Sequence, residues 1–245
     1  MAPSLIFTIV LLAQTSRETR LVDMVVAQVE STVITLSELI AEARLALLAD
    51  AGAKFEREAV IDQALLDAVL RMMVSRELLL AEARRLQLQD VRDEEVLAEL
   101  SKLRNHFEAK GDFGRFLERI GFSYSEADIT PLGPAPPALL AILRANVQVQ
   151  QFIAFRIRSE HASEQEIIRC YRANSRAVGL RPLQDVRPAI ERSIESARRS
   201  GQLRGWIAKL HAKANVRYSP GFRQDFDKPE KEPPEEGLTI RCPSE

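Results

Sequence analysis

The stretch from Glu58 to Gln89, EAVIDQALLDAVLRMMVSRELLLAEARRLQLQ, contains neither Gly nor Pro and constrains the fold more than any other part of the chain. Ile61, Leu65, Ala68, Met72, Leu79, Ala83 and Leu86 recur at helical spacing, and Leu66, Val69, Met73 and Leu80 form a second stripe beside them. Its polar residues Gln63, Asp67, Arg71 and Ser75 follow one another at i+4, which leaves one narrow solvated face. The pattern predicts one long helix, buried over most of its circumference. Such a helix needs packing partners on both sides, and these must come from the segments before and after it.

Upstream, VDMVVAQVESTVIT over 22–35 is two β-branched runs separated by Glu30 and Ser31, which reads as a two-residue hairpin. Glu-Ser is a poor choice for such a turn, because neither residue relieves a positive φ. Thr35 and Glu38 have capping-box spacing, so a helix is expected from Leu36 to about Asp50, closed by Gly52. Downstream, the acids Asp93, Glu94 and Glu95 open a third helix within 91–107, and residues 111–120 supply a short fourth. TPLGPAPP, with Pro131, Pro134, Pro136 and Pro137, interrupts helix, and residues 138–157 resume it. Ser163 and Glu166 form a second capping box before a short helix through Ile167, Ile168 and Tyr171. A last long helix uses Leu183, Val186, Ile190, Ile194, Leu203, Trp206, Ile207 and Leu210, weakened locally by Gly201 and Gly205. Val216 to Tyr218 is a short strand candidate. The expected fold class is mainly α with a small β-hairpin joined by a C-terminal strand.

Composition bounds what this assembly can be. At 245 residues, 46% hydrophobic and 28% charged, the chain can bury one sizeable core or two small ones, and its net charge of −1 gives no overall attraction to nucleic acid or an anionic surface. Charge is uneven locally, with basic residues concentrated from Arg169 to Lys213 and acidic ones from Asp90 to Asp128. A solvated helix face is the commoner explanation of such runs. Residues 1–20 contain an apolar run from Leu5 to Ala13 followed by small polar residues, which reads as a secretory signal too short to span a bilayer, although no Lys or Arg precedes it. Residues 21–219 then form the folded domain, and 220–245, rich in Pro and charge, read as a disordered tail. Cys170 and Cys242, the second in that tail, read as two isolated thiols that form neither a disulfide framework nor a metal site.

Catalytic constellations are hard to find. Adjacent acids at Asp93, Glu94 and Glu95 do not face each other on a helix, so a first-turn role fits them better than paired acid–base chemistry. A Cys170 nucleophile lacks a neighbouring base, since His161 is on another expected segment. No phosphate loop, Cys-x-x-Cys or His-Glu-x-x-His motif is present, and no cofactor or metal is implied. Binding has better support. Phe107, Phe113, Phe116, Phe122 and Tyr124 fall close together, and Met72 and Met73 lie on the central helix; aromatics and flexible thioethers suit varied apolar partners. Phe116 and Phe122 read as core, whereas Phe113 and Tyr124, flanked by Gly and Ser, read as partly exposed. The candidate peptide-binding residues are Met72, Met73, Phe107, Phe113, Tyr124 and Trp206.

The order VVAQVESTVIT, capped helix, SRELLLAEARRLQLQ, DEEVLAEL, then NVQVQQFIAFRI, SEQEIIRCYRANS and PLQDVRPAIERSIESARRSGQLRGWIAKLHAKANVRYS, resembles the chaperone module of SurA-type periplasmic chaperones and peptidyl-prolyl isomerases. The resemblance implies a SurA N-like, trigger-factor-like helical domain whose last helix packs back on the first helices and whose closing strand joins the hairpin. In most relatives a parvulin isomerase domain stands between the short helix and the last one; here Tyr171 reaches Leu183 through only RANSRAVGLRP. His106, His161 and His211 are scattered without the arrangement an isomerase site requires. The implied function is an exported, periplasmic chaperone that binds unfolded or outer-membrane-bound polypeptides through an apolar groove, with no isomerase activity and no nucleic-acid partner. The alternatives are an assembly or scaffold subunit with one fixed partner and a non-catalytic component of an isomerase system.

Overall fold

The computed structural model describes residues 23–51, 61–87, 91–107, 110–130, 133–157, 161–222 and 242. The expected signal segment and nearly all of the expected tail lie outside these residues. Strands β1 (Val25–Val29) and β2 (Thr32–Thr35) form the hairpin, followed by helices α1 (Leu36–Ala51), α2 (Gln63–Arg85), α3 (Asp93–Arg104) and α4 (Lys110–Arg119). A 3-10 turn at Glu126–Asp128 leads to the two-residue strands β3 (Ile129–Thr130) and β4 (Gly133–Pro134). Then come α5 (Pro137–Arg156), α6 (Glu164–Ala173), α7 (Ser175–Val178), α8 (Leu183–Lys213) and β5 (Val216–Tyr218). The fold is mainly α, as the periodicity predicts.

The central helix is shorter than its apolar pattern. Asp62 caps it, its side chain accepting from the Leu65 N–H at 2.8 Å, and this fixes the start at Gln63. At α1 the expected box is present: Glu38 accepts from the Thr35 N–H at 2.8 Å and the Thr35 hydroxyl accepts from the Glu38 N–H at 3.4 Å. The TPLGPAPP interruption contributes the β3–β4 pair, and Pro137 sits at the first turn of α5, where a missing N–H costs nothing.

The sheet has strand order β2–β1–β5, with β5 antiparallel to β1 in the register Ala27↔Tyr218, Gln28↔Arg217 and Val29↔Val216. This pairing resolves the awkward turn. Glu30 takes φ 52°, and its N–H donates to the Asn215 carbonyl at 3.0 Å while its carboxylate accepts from the Asn215 N–H at 2.9 Å. Residues at the far end of the chain therefore hold a backbone conformation that Glu disfavours.

Three apolar clusters build the body. One joins the end of α1 to α3, α4 and α5 around Phe113, Phe116, Leu117, Leu100 and Leu139. A second lies between the sheet, α1 and α2 around Val26, Ile34, Leu39, Leu70 and Val74, with Leu210, Val216 and Tyr218 at its margin. The third sits where α2, α5 and α8 meet, at Leu79, Ala83, Phe152, Leu203, Trp206 and Ile207. α5 is long and apolar enough to cross a membrane, but in this structure it supplies Leu139, Leu143, Val147 and Phe152 to the core.

A fourth cluster, Ile167, Cys170, Val178, Val186, Ile190 and Ile194, forms a lobe from α6, α7 and the first half of α8. Cys170 and Cys242 are joined by a disulfide there, which corrects the expectation of two isolated thiols. Spacing could not pair them, because 72 residues separate them and only folding brings both into one cluster. α8 is continuous through Gly201 and Gly205 and serves both regions. At 3.6 residues per turn, the residues it buries in the lobe and those it packs on the body point in directions that differ by roughly 150°. The lobe and the body thus lie on nearly opposite sides of one shared helix.

Candidate polypeptide-binding surface

The anchor of the α1–α2–α5 packing is polar. Arg76 of α2 donates to the Glu42 carboxylate at 2.5 Å and to Asn146 of α5 at 3.1 Å, and both Arg76 and Glu42 are buried. Arg76 interrupts the α2 face that carries Leu79 and Ala83, and the sequence pattern alone does not single it out. Next to it, burial raises the Glu77 carboxyl above its usual range, an effect opposed by the charges of Arg76 and Arg84. This buried pair fixes how three helices meet, although the Arg76 Nε is left without a hydrogen-bond partner; one partner without the other would be costly.

The predicted site residues separate into three places. Phe113 is fully buried, which corrects the expectation of partial exposure. Its ring lies 5.4 Å from that of half-buried Phe107, which is 5.3 Å from Phe116, so these aromatics fill the α3–α4–α5 core. Flanking Gly residues suggested exposure for Phe113, but Gly114 is there for close packing: a Cβ on it would stand 2.7 Å from the Tyr124 hydroxyl and 3.2 Å from Pro134. Tyr124 is partly exposed, and desolvation, with Glu118 nearby, raises its phenol pKa. Met73 is buried in the sheet-side cluster, out of a ligand's reach.

Met72 and Trp206 remain at the surface. Met72 is 45% exposed although it shares an azimuth with buried Leu79 and Ala83, so the cover of this α2 face is incomplete at Met72. Trp206 is half-buried, edge-on to Phe152 at 5.0 Å, with the Arg156 guanidinium 5.9 Å from its ring centroid. Phe155, which the sequence reading passed over within QFIAFRI, is 64% exposed on the same turn of α5 as Arg156. Spacing does not mark it, because three residues after Phe152 it is a neighbour on the helix surface, and the extent of cover decides its exposure. Val149, Ile153, Leu203, Ile207 and Leu210 are partly buried around this junction. An apolar and aromatic surface therefore lies at the α2–α5–α8 junction, bordered by Arg156 and by Glu82, which is held to its carboxylate form by Arg85 and, more weakly, by Lys213 and Arg156.

Nothing in this surface provides a nucleophile–base pair, and no cluster of His, Cys, Asp or Glu able to hold a metal is found among the described residues. Geometry here suits contact with side chains of another polypeptide.

No curated protein matches the chain. Residues 4–121 match the family model of the SurA-like N-terminal domain. That range takes in the hairpin and α1 to α4, and over it the chain is similar to the SurA-like N-terminal domain family.

Proposed function

We propose that this protein is an exported, chaperone-like binder of unfolded or outer-membrane-bound polypeptides that has no isomerase activity of its own. The observation that carries the reading is the SurA-like N-terminal match over residues 4–121. Its supports are the partly covered junction of Phe152, Trp206 and their apolar neighbours, the exposure of Phe155 on the same helix as Phe152, and the Cys170–Cys242 disulfide, which suits an oxidising compartment such as the periplasm. Release without an energy source requires weak contacts of roughly micromolar order. The test is light scattering of several unrelated denatured polypeptides diluted into stoichiometric protein. Suppressed aggregation of all of them supports the reading, and suppression of none removes it. An X-Pro test peptide should relax at its uncatalysed rate, on the order of tens to hundreds of seconds.

One observation favours the runner-up, an assembly subunit with one fixed partner. Burial of Phe113 and Met73 shrinks the adaptable apolar surface available for varied clients. A single stoichiometric partner recovered by pull-down from the native envelope would establish that role.

A further inference from the structure

Helix α8 carries Arg192, Arg199, Trp206 and Lys213 at successive seven-residue intervals. Each interval is two turns, about 10.5 Å, so the four residues form one stripe about 32 Å long that drifts only slowly around the helix. The three cations are exposed and Trp206 is half-buried. Elsewhere on α8, Arg187 is committed to Glu164 and Glu191, and Arg198 to Glu166, whereas Arg192 and Arg199 make no ion pair among the described residues. Two carboxylates border the stripe: Glu195, which meets His161, and Glu82, which is bonded to Arg85. Arg156, over the Trp206 ring, adds a fourth cation at mid-length.

Position makes the stripe continuous. Arg192 and Arg199 lie on the side of α8 away from the lobe's apolar residues, and Trp206 lies at the rim of the face that packs on the body, so the path runs from that flank of α8 onto the α2–α5–α8 junction. Its period selects a conformation. A polyproline II segment presents every third residue on one face at about 9.3 Å, close to the helix interval. Carboxylates at such positions meet the cations, and a Pro or apolar residue in the same row meets Trp206.

Building on the polypeptide-binding reading above, we propose that this stripe recognises acidic, extended segments of the bound polypeptide. Clients would then be chosen by charge as well as by apolar content. A duplex nucleic acid fits less well, because the acidic α3–α4 region and the overall net charge of −1 oppose a uniformly charged polyanion.

The experiment uses the full-length, disulfide-bonded protein at low salt and follows Trp206, the chain's single tryptophan, by its emission. The probe is a five-repeat Glu-Pro-Ser peptide, compared with its Gln-Pro-Ser counterpart and with a denatured polypeptide of near-zero net charge. The Glu peptide should bind roughly tenfold or more tightly than the Gln peptide, with the difference shrinking as salt is added. R192E/R199E should remove the preference with an unchanged thermal midpoint, and R176E, at an exposed cation on α7 off the stripe, should keep it. Equal binding of the two peptides alongside binding of the neutral polypeptide overturns the proposal while leaving polypeptide binding intact. Binding of none of the three shows that the underlying reading has failed. Duplex DNA bound as tightly as the Glu peptide, or Glu-peptide binding seen only after truncation at Phe222, also overturns it.

Discussion

The body and the lobe share one helix but are held together by different physics. In the body, apolar clusters on both sides of α2 interlock, a buried Arg76–Glu42–Asn146 contact fixes the angle of three helices, and β5 closes the sheet from 185 residues away. The lobe has one small cluster, so its surface does more of the work. Ser163 and Glu166 cap α6, Arg187 and Arg198 of α8 reach Glu164 and Glu166, and the disulfide ties Cys170 to Cys242. The lesson is one of scale: a region too small to bury a large core needs covalent and ionic staples, which a larger core can do without.

The largest test of the contrast removes what both regions share. Truncation after Arg181 deletes α8 and β5, exposes the Leu65 and Leu79 sides of α2 and unpairs β1. At ~25 cal/mol per Å² of apolar surface, several kcal/mol are lost, and circular-dichroism melting should show no cooperative transition. A soluble, sharply melting fragment would mean that the body is complete without α8.

Within the body, Glu42→Ala should cost about 3–5 kcal/mol in urea unfolding, because it leaves Arg76 charged and buried, whereas a double replacement by Leu and Met should come close to neutral. Phe113→Ala should cost a similar amount, about 3–5 kcal/mol, as a core truncation. An equal loss in the single Glu42 variant and the double variant would assign the effect to packing and not to charge.

In the lobe, reduction or Cys170→Ser should weaken local stability by up to about 4 kcal/mol on loop-entropy grounds while leaving the body's transition in place. Limited proteolysis followed by mass mapping reads this directly, with new cuts expected within 161–200. Deleting 224–245 should behave the same way, since it removes Cys242; the sequence alone gave no reason for the deletion to matter.

The smallest effect is that of pH. The Ser163 hydroxyl and N–H and the Arg198 guanidinium lower the Glu166 carboxyl from 4.5 to about 2. A carboxylate depressed in the folded state stabilises above its unfolded value, and that contribution is lost as pH falls from about 4.5 towards 2. Glu164, lowered by Arg187, acts in the same direction. Protease sensitivity of the lobe should therefore rise on acidification, and E166Q should flatten the dependence. A lobe equally protected at pH 5 and pH 3 would show that the cap and its ion pair contribute nothing measurable.

Elements whose signals are local were legible in the chain. Thr35 and Glu38, or Ser163 and Glu166, satisfy helix N-termini within four residues, and the α2 stripes recur every turn, so the hairpin, the helices and the mainly α class follow from short-range chemistry. Even the unfavourable Glu30 turn was visible as a conflict, although its resolution by Asn215 was not. Of the candidate residues, Met72 is exposed and Trp206 half-buried, so both keep surface that a partner could meet. Phe113 and Met73 were misplaced because composition cannot distinguish a surface aromatic or thioether from a buried one.

What only the tertiary structure decided depends on separation along the chain. Pairing Cys170 with Cys242, seating Arg76 between Glu42 and Asn146, turning Phe155 outward and laying α8 between two cores each require residues tens of positions apart to meet. Periodicity specifies which face of a helix is apolar. Which neighbour covers that face, and where the cover stops, is set by packing of the whole chain, and the candidate surface lies where the cover stops.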